Sequence, residues 1–543
     1  MENEKGNRLL GELKENSILV QNSHTFIVVP FYYDEAFTVN SWWKEEENVL
    51  SNDGFNGELL YPYIMDFLQG DVQFRQDFNS YTEKERFKNE KLLRQSLKIY
   101  RLNVDDSERA MFWNTFATST HSIYYSDKGN EKIDFSLYAE EWSKKQKQFQ
   151  IVWNDFYLPH LFISPIGNVG LLTFHICPCG QKCSIEVLKS LNYFFHKLQG
   201  DIHKCICHNL VEENAQKYRK YIQWHLEEDI KKHPEQTWNS ESGFTWNSKA
   251  LIDMFLRDDE TVSLTWKKGI FPRKKYKLFG TERVNLLTYC MVCDRLIEQV
   301  SDSEIIIELT RLARCVDNKY LLPHSNPSFA DTYTKLYENI YAAAAIEGTA
   351  VITIQQQNND RFIQDYHKNS IRKKYVWIYI LVMLQRFTLM NLNRQLANFD
   401  ALHSAEEQDN SKGDIWDLLR IVRFVKVHSY YTDVSSYTHF FEFYQLCCRN
   451  MHINETYQEI DSKTKILNIS ISHERAEMDA KLQKEELEQH NMLERFLAIF
   501  AIIQGIQILF VEVKLIFKFY AILAAVILGC FAPQILRLFK QDK

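Results

Sequence analysis

The chain has 543 residues and a formal net charge of −7, with 64 Lys and Arg residues against 71 Asp and Glu residues. This mildly acidic balance argues against a general nucleic-acid-binding surface, so we expect no direct nucleic-acid binding and only local contacts to a nucleotide. The length predicts two or three folding units.

Residues 1–14 are charged rather than apolar, which predicts that no secretory signal is present. The chain also contains 11 cysteines. In a chain with most of its mass in the cytoplasm, these are expected to be reduced thiols or metal ligands rather than a disulfide framework.

Short strands and helices are predicted over the first three hundred residues. The segments rich in β-branched and aromatic residues, each bounded by turn-forming residues, are Phe26–Tyr33, Lys98–Leu102, Gln150–Leu158, Leu161–Pro165 and Val169–Ile176. The last two predict a hairpin around the turn at residues 164–168. Ser184–Leu198 has helical spacing, so we expect an α+β (α/β-like) domain with a partly antiparallel sheet.

A second break at residues 323–328 is followed by helical signals, and we place the main domain boundary after residue 328. Helices are predicted at Asp331–Ile346 and Lys374–Phe399, the latter buried against its neighbours. From Ser435 to Gly505 the chain lacks Pro and Gly, which predicts one nearly continuous helix of roughly 100 Å. Its charged stretch His473–His490 favours a position in a bundle or ring.

Two apolar runs, Phe496–Val511 and Phe519–Leu536, follow this helix. With their flanking residues they predict two transmembrane helices joined by a tight turn, and the basic tail after residue 536 places both chain ends in the cytoplasm. The alternative is a buried helical hairpin of a soluble core. The expected fold is thus a cytoplasmic α+β sensor domain (1–328), a long helical stalk (329–494) and a two-helix C-terminal transmembrane hairpin (495–540). The expected location is the inner (plasma) membrane of a prokaryote.

This order of elements resembles the CorA superfamily of magnesium and cobalt channels over most of the chain. The family carries Gly-Met-Asn at the outer end of its first membrane helix, whereas this chain has Ile506–Glu512 there, without that triplet. In lacking this triplet and in having a large N-terminal part, the chain resembles the CorA-like membrane effectors of type III CRISPR antiviral defence. Those effectors respond to a conjugate of adenosylmethionine and AMP (SAM-AMP).

The resemblance implies a homo-oligomer, a pentamer by default, that lies in the lipid bilayer and is opened by a nucleotide second messenger. It also implies Mg²⁺ as an associated or conducted ion. The alternatives are a divalent-cation (Mg²⁺ or Co²⁺) transporter of the CorA superfamily and a membrane-anchored scaffold.

A basic strip is the first candidate for binding the messenger, because it interleaves cations with aromatic faces on which adenine could stack. Its residues are Arg273, Lys274, Lys275, Tyr276 and Lys277. A basic loop lying on anionic lipid, or simply solvated, is the alternative.

Pore-lining residues are predicted along one stripe of the first apolar run and its cytoplasmic approach: Glu494, Phe500, Gln504, Gln507 and Val511. The two glutamines lie three residues apart and could form polar girdles, while the apolar side chains could gate by dewetting. Alternatively, the glutamines form hydrogen bonds between packed helices, and the glutamate is an exposed helix charge.

The densest cluster of soft ligands predicts a candidate structural zinc site, since tetrahedral zinc needs four such groups. Its members are Cys177, Cys179, Cys183, Cys205, Cys207 and His208. Their spacing is not that of paired zinc knuckles, and small buried apolar cysteines are the alternative. The chain has no phosphate-binding loop, nucleophile elbow or metalloprotease motif, so we expect no enzymatic activity.

Overall fold

A computed structural model describes residues 18–34, 37–45, 97–105, 158–178, 182–197, 275–279, 283–293, 301–316, 331–355, 371–402, 411–428, 430–509 and 519–527. It also describes 60, 61, 64, 110, 113, 121–124, 132–136, 206–208, 252, 255, 256 and 517.

The described strands are β1 (Leu19–Tyr33), β2 (Trp43–Glu45), β3 (Lys98–Leu102), β4 (His121–Tyr124), β5 (Lys132–Ser136), β6 (His160–Ser164), β7 (Val169–Pro178), β8 (Lys182–Ser184), β9 (Ile206–His208), β10 (Tyr276–Leu278), β11 (Asn285–Cys293), β12 (Tyr333–Tyr337), β13 (Ile340–Ala344) and β14 (Gly348–Gln355). The described helices are α1 (Ile185–His196), α2 (Asp302–Ala313), α3 (Val376–Leu402), α4 (Ser411–His428), α5 (Thr438–Asn450) and α6 (Ile453–Leu509). A π-helical turn, Ile371–Tyr375, leads into α3.

The strands form one large mixed sheet in which β12, β13, β14, β11, β1, β7, β5, β4 and β9 follow one another. The long strand β1 is central and pairs with β7, β8, β10 and β11. Among the described pairs, only β11 and β14 run parallel. The predicted hairpin at residues 161–176 is confirmed as β6 and β7.

Helices pack on both faces of this sheet, because alternate side chains of β1 are apolar on each side. On one face, Ile27 and Val29 belong to the same core as Leu191 of α1. On the other face, the Trp377 ring of α3 packs edge-on against Phe162 of β6 at 5.7 Å. Helix α2 shares a core with β11 and β14 on the α1 side, while α3 and α5 lie in contact with each other.

A buried polar contact fixes α1 to the centre of the sheet. The Asn192 side-chain oxygen accepts hydrogen bonds from Thr25 of β1 at 3.4 Å and from Thr288 of β11 at 3.0 Å. The Asn192 amide donates to the carbonyl of Leu312 in α2 at 3.2 Å. One side chain therefore satisfies polar groups from two strands and a second helix.

The predicted helix at Asp331–Ile346 is wrong, because this segment forms the β12–β13 hairpin. Alanines favour helices when local propensity decides, but Ala342 and Ala343 are buried in the sheet between two strands. Tertiary packing therefore overrides the local preference.

The chain divides into two compact units, residues 1–460 and 461–543. The predicted boundary after residue 328 falls before β12–β14, which continue the sheet of the first unit. The nearly continuous helix predicted from Ser435 is interrupted between α5 and α6, where His452 adopts a left-handed backbone (φ 57°). The second unit contains α6 from Asp461 onward and helical residues 519–527.

The predicted transmembrane hairpin is wrong: none of the helices in the described parts of the chain has the length and apolarity that crossing a bilayer requires. The first apolar run forms only the end of α6, whose preceding turns are charged. The described helical part of the second run, 519–527, is far shorter than the ~20 residues of a span. The predicted fold class, which included this hairpin, and the predicted multi-pass inner-membrane location are therefore wrong as well. Nothing in the structure supports the channel and CRISPR assignments.

Candidate functional site

The predicted basic strip lies partly on β10, which pairs with the end of β1. Lys277 is opposite Tyr32, and Tyr276 is opposite Tyr33. Because successive side chains of a strand point to opposite faces, the two neighbours in β10 have different environments. Tyr276 is only 4% exposed and packs edge-on against Phe31 at 6.0 Å, whereas Lys277 is exposed.

Tyr276 is therefore a core residue and does not present its ring to a ligand at the surface. Lys275 is partly buried, and its carbonyl accepts a hydrogen bond from the Asp34 amide at 3.1 Å. Arg273 and Lys274 lie outside the described residues. Of the five predicted residues, Lys277 is the one whose described side chain is an exposed cation.

Sequence reasoning missed a second cation that lies beside this strip. The guanidinium carbon of Arg394, in α3, is 3.9 Å from the ring centroid of Tyr32. This distance is well within the ~6 Å limit for an attractive cation–π contact. The Tyr32 ring in turn contacts Phe279 edge-on at 5.3 Å, and Phe279 lies 4.7 Å from Phe387 of α3.

Arg394 is held in place by Asn391 of the same helix, which is itself hydrogen-bonded to the turn between β6 and β7. Arg394 Nη2 donates to Asn391 Oδ1 at 2.7 Å, and the Asn391 amide donates to the Gly167 carbonyl. The same turn accepts a hydrogen bond from the Tyr33 amide at the Asn168 carbonyl, at 3.1 Å. The turn therefore aligns α3 with the end of β1.

Gly167 is required at this close approach for two reasons. Its backbone is left-handed, with φ of 76°, a conformation that glycine adopts without steric cost. A Cβ at this position would also lie 3.1 Å from Cγ2 of Thr388 in α3. The turn can thus lie against the helix that carries Asn391 and Arg394.

We call Tyr32, Lys277 and Arg394 the basic–aromatic patch. Strand pairing places the Cβ atoms of Tyr32 and Lys277 about 5 Å apart. Within the parts of the chain that the structure describes, neither cation forms an ion pair with a carboxylate. The patch therefore combines two positive charges with a stacked aromatic ring.

The predicted pore residues lie in or beyond α6. Phe500 is 62% exposed, Gln504 is exposed, and Glu494 Oε1 lies 3.5 Å from Nε2 of the exposed His490. Gln507 belongs to α6, and Val511 lies outside the described residues. A pore role requires a membrane-spanning helix, and no helix in the described parts of the chain meets that requirement.

The predicted zinc ligands are distributed over three strands: Cys177 in β7, Cys183 in β8, and Cys207 and His208 in β9. Cys179 and Cys205 lie outside the described residues. Strands β5 and β4 separate β7 from β9, which corresponds to about 14 Å along the sheet. Among the side chains that are described, no three His, Cys, Asp or Glu residues form a metal-binding group. The zinc site stays a prediction.

No protein-family model matches this chain, and no curated protein sequence matches it either. The resemblance to the CorA superfamily therefore stays a prediction.

Proposed function

We propose that this protein is a nucleotide sensor rather than an enzyme, and that the basic–aromatic patch binds the nucleotide. The observation that carries the proposal is the Arg394 guanidinium held 3.9 Å over Tyr32, with Lys277 opposite the same tyrosine. An adenine nucleotide is the first candidate, in keeping with the resemblance described above.

The two cations suit the two parts of a nucleotide. A guanidinium is planar, and nucleobases stack on its face. One face of Arg394 lies on Tyr32, so a base on the outer face would complete a stack of ring, guanidinium and base. The Lys277 ammonium is a compact charge that would pair with a phosphate.

The patch is also organised before a ligand arrives. The hydrogen bond from Arg394 to Asn391 fixes a long side chain that would otherwise lose rotamer entropy on binding. A ligand would contact both β10 and α3, which are distant in sequence. A sensor needs two conformations with different affinities for its ligand, and the junction of β10 and α3 is where this difference would arise.

The direct test is isothermal titration calorimetry on the full-length protein with AMP, ATP, GTP, SAM-AMP and inorganic phosphate. We expect one adenine nucleotide to bind more tightly than inorganic phosphate. Lys277→Gln removes a charge-assisted hydrogen bond worth about 1.5–3 kcal/mol, which predicts at least a tenfold weaker affinity. Arg394→Met removes the stacking plane, worth about 1–3 kcal/mol per base, and predicts a similar loss.

Lys335 provides a matched control. It is the cross-strand partner of Tyr341, as Lys277 is of Tyr32, and both lysines are exposed. Its Nζ lies 5.2 Å from the ring centroid of Tyr341. Its strand, β12, is four strands away from β1 in the sheet order. Lys335→Gln should bind the nucleotide with the same affinity as the wild type.

Equal affinity for inorganic phosphate and every nucleotide would contradict the proposal, because the patch would then recognise only an anion. The proposal would also be contradicted if Lys335→Gln lost as much nucleotide affinity as Lys277→Gln. If no nucleotide binds at millimolar concentration, a scaffold role is favoured instead.

A further inference from the structure

Helix α6 carries a regular series of exposed apolar side chains along one face. Leu482 and Leu493 are 53% and 58% exposed, and they continue a series at positions 471, 482 and 493. A second series, at 467, 478, 489 and 500, contains Met478 and Phe500, which are 48% and 62% exposed. Each member of the first series follows a member of the second by four residues, so both lie on one helix face. We call this face the α6 stripe.

The interval of the stripe is typical of helices that pair along their length. An apolar repeat of about 11 residues corresponds to about 3.67 residues per turn, and it gives a coil with a slight right-handed supercoil. The charged side chains of α6 contact one another outside the stripe. Lys465 Nζ lies 2.8 Å from Asp461, and His490 Nε2 lies 3.5 Å from Glu494. The charged faces of α6 therefore suit water, whereas the stripe suits an apolar surface.

The described part of the second unit offers only a short segment that could cover this face. From Leu467 to Phe500 the stripe is about 50 Å long. Helical residues 519–527 extend for only about 13 Å. A lipid surface also matches poorly, because the exposed charges of Lys481, Lys484 and Glu488 lie in the same turns as Leu482.

A second copy of α6 matches the stripe in both length and chemistry. Gln489 interrupts the apolar series and is exposed. In a parallel pair of copies in register, the two Gln489 side chains meet and can hydrogen-bond to each other. One polar residue in an apolar stripe commonly fixes register and orientation in coiled coils. In a shifted register the amide would lie against an apolar side chain and lose its hydrogen bonds to water without replacement.

The area of such a contact is sufficient for a specific interface. A contact strip about 10 Å wide and about 50 Å long covers roughly 500 Å² on each helix. The two copies together bury about 1,000 Å², which lies at the lower limit for a specific protein–protein interface. This area corresponds to an association that depends on protein concentration.

We propose that α6 is an interaction surface for a second copy of this chain, and that the two helices lie parallel and in register. Met478, Leu482, Leu493 and Phe500 of one helix pack on the same residues of the other. The association needs no nucleotide, so it stands independently of the basic–aromatic patch.

Leu487 provides a matched control within the same helix. It is 63% exposed, which is more than Leu482. Five residues of an α-helix correspond to a rotation of about 140° beyond a full turn, so Leu487 lies on the far side of the helix from Leu482. A charge at Leu487 should leave the proposed contact intact, whereas a charge at Leu482 should lie inside it.

The first test is sedimentation equilibrium of the full-length protein over a range of concentrations up to tens of micromolar. The wild type and Leu487→Asp should reach at least twice the 64.6 kDa of one chain. Leu482→Asp and Leu493→Asp should each weaken the association at least about tenfold, because a carboxylate would be buried without a partner. Circular dichroism identifies variants that fail to fold.

The second test determines the orientation of the helices. Mild oxidation of Leu482→Cys with copper–phenanthroline should give a disulfide-linked dimer, because a parallel pair in register places the two cysteines opposite each other. Leu487→Cys should give no more linked dimer than the wild type.

Four results would overturn the proposal. The first is a wild-type protein that stays monomeric, including one that floats with vesicles of phosphatidylcholine and phosphatidylglycerol and thereby assigns the stripe to lipid. The second is a folded Leu482→Asp variant that associates as tightly as the wild type. The third is a loss in Leu487→Asp equal to that in Leu482→Asp. The fourth is equal cross-linking of Leu482→Cys and Leu487→Cys.

Discussion

Helices α1 and α2 are joined by a group of four charged residues, and two of them, Lys189 and Glu308, should respond very differently to mutation. The Lys189 side chain is 1% exposed and its Nζ contacts Oε2 of Glu308, which is 13% exposed. Arg311 Nη1 lies 2.6 Å from the other Glu308 oxygen, and Glu186 Oε1 lies 3.8 Å from Lys189. Glu308 thus neutralises two cations.

Glu308→Gln leaves the Lys189 charge buried without its closest carboxylate, since the Glu186 carboxylate is farther away at 3.8 Å. Removing one partner of a buried ion pair costs about 3–5 kcal/mol, and the remaining contact places the expected loss near 3 kcal/mol. Lys189→Met keeps the volume and leaves Glu308 paired with Arg311, so the free energy of unfolding should change by less than about 1 kcal/mol.

Urea unfolding followed by circular dichroism measures both variants. With an m-value of about 3 kcal/mol/M, Glu308→Gln should unfold at a midpoint roughly 1 M below that of the wild type. The control is Glu45→Gln, which breaks an exposed contact of 3.2 Å to Lys98 and should cost less than about 0.5 kcal/mol. A larger loss for Lys189→Met than for Glu308→Gln would refute the charge argument.

Two further predictions concern the sheet. A Cβ on Gly170 would lie 2.6 Å from Cε1 and Cε2 of the buried Phe31 ring. Gly170→Ala should therefore lower the free energy of unfolding, measured with urea, by about 2–3 kcal/mol. Adding Phe31→Leu to that variant should restore at least about 1 kcal/mol. If the losses of the two single variants simply add in the double variant, the clash is not the cause. Burial lowers the pKa of His160 to about 4, while its Nδ1 contacts the Leu158 carbonyl at 2.8 Å. A histidine in the unfolded chain titrates near pH 6.5. The contribution of neutral His160 to the free energy of unfolding is therefore complete above that pH and is lost as the pH falls toward 4. The loss should be about 2 kcal/mol between pH 7 and pH 5, and an equally steep loss in His160→Gln would contradict this assignment.

Sequence patterns predicted the elements in which local signals and packing agree. The turn around Gly167 and Asn168 indicated the β6–β7 hairpin, and both residues adopt left-handed backbones. Helical spacing after Ser184 indicated α1, and the Ser184 hydroxyl accepts a hydrogen bond from the Val187 amide at the start of that helix. The long apolar helix predicted from Lys374 is confirmed as α3.

The predictions that failed are those that depended on distant partners. Ala342 and Ala343 lie in a strand because they pair with residues of β14 in the sheet. The site was predicted only in part for the same reason: Lys277 could be identified from its basic neighbours, but Arg394 reaches Tyr32 only because α3 packs against β1. That contact joins residues more than three hundred positions apart, and no local pattern encodes it.

The central position of β1 also determines when the sheet can form during synthesis. Thr25 and its partner Thr288 are 263 residues apart, so a ribosome adding about 5–20 residues per second needs roughly 15–50 s to produce the second strand after the first. Throughout that interval the edge of β1 that pairs with β11 is unpaired in the nascent chain. Chaperones that bind extended apolar segments should therefore bind β1 during synthesis, and they should release it only after β11 has emerged.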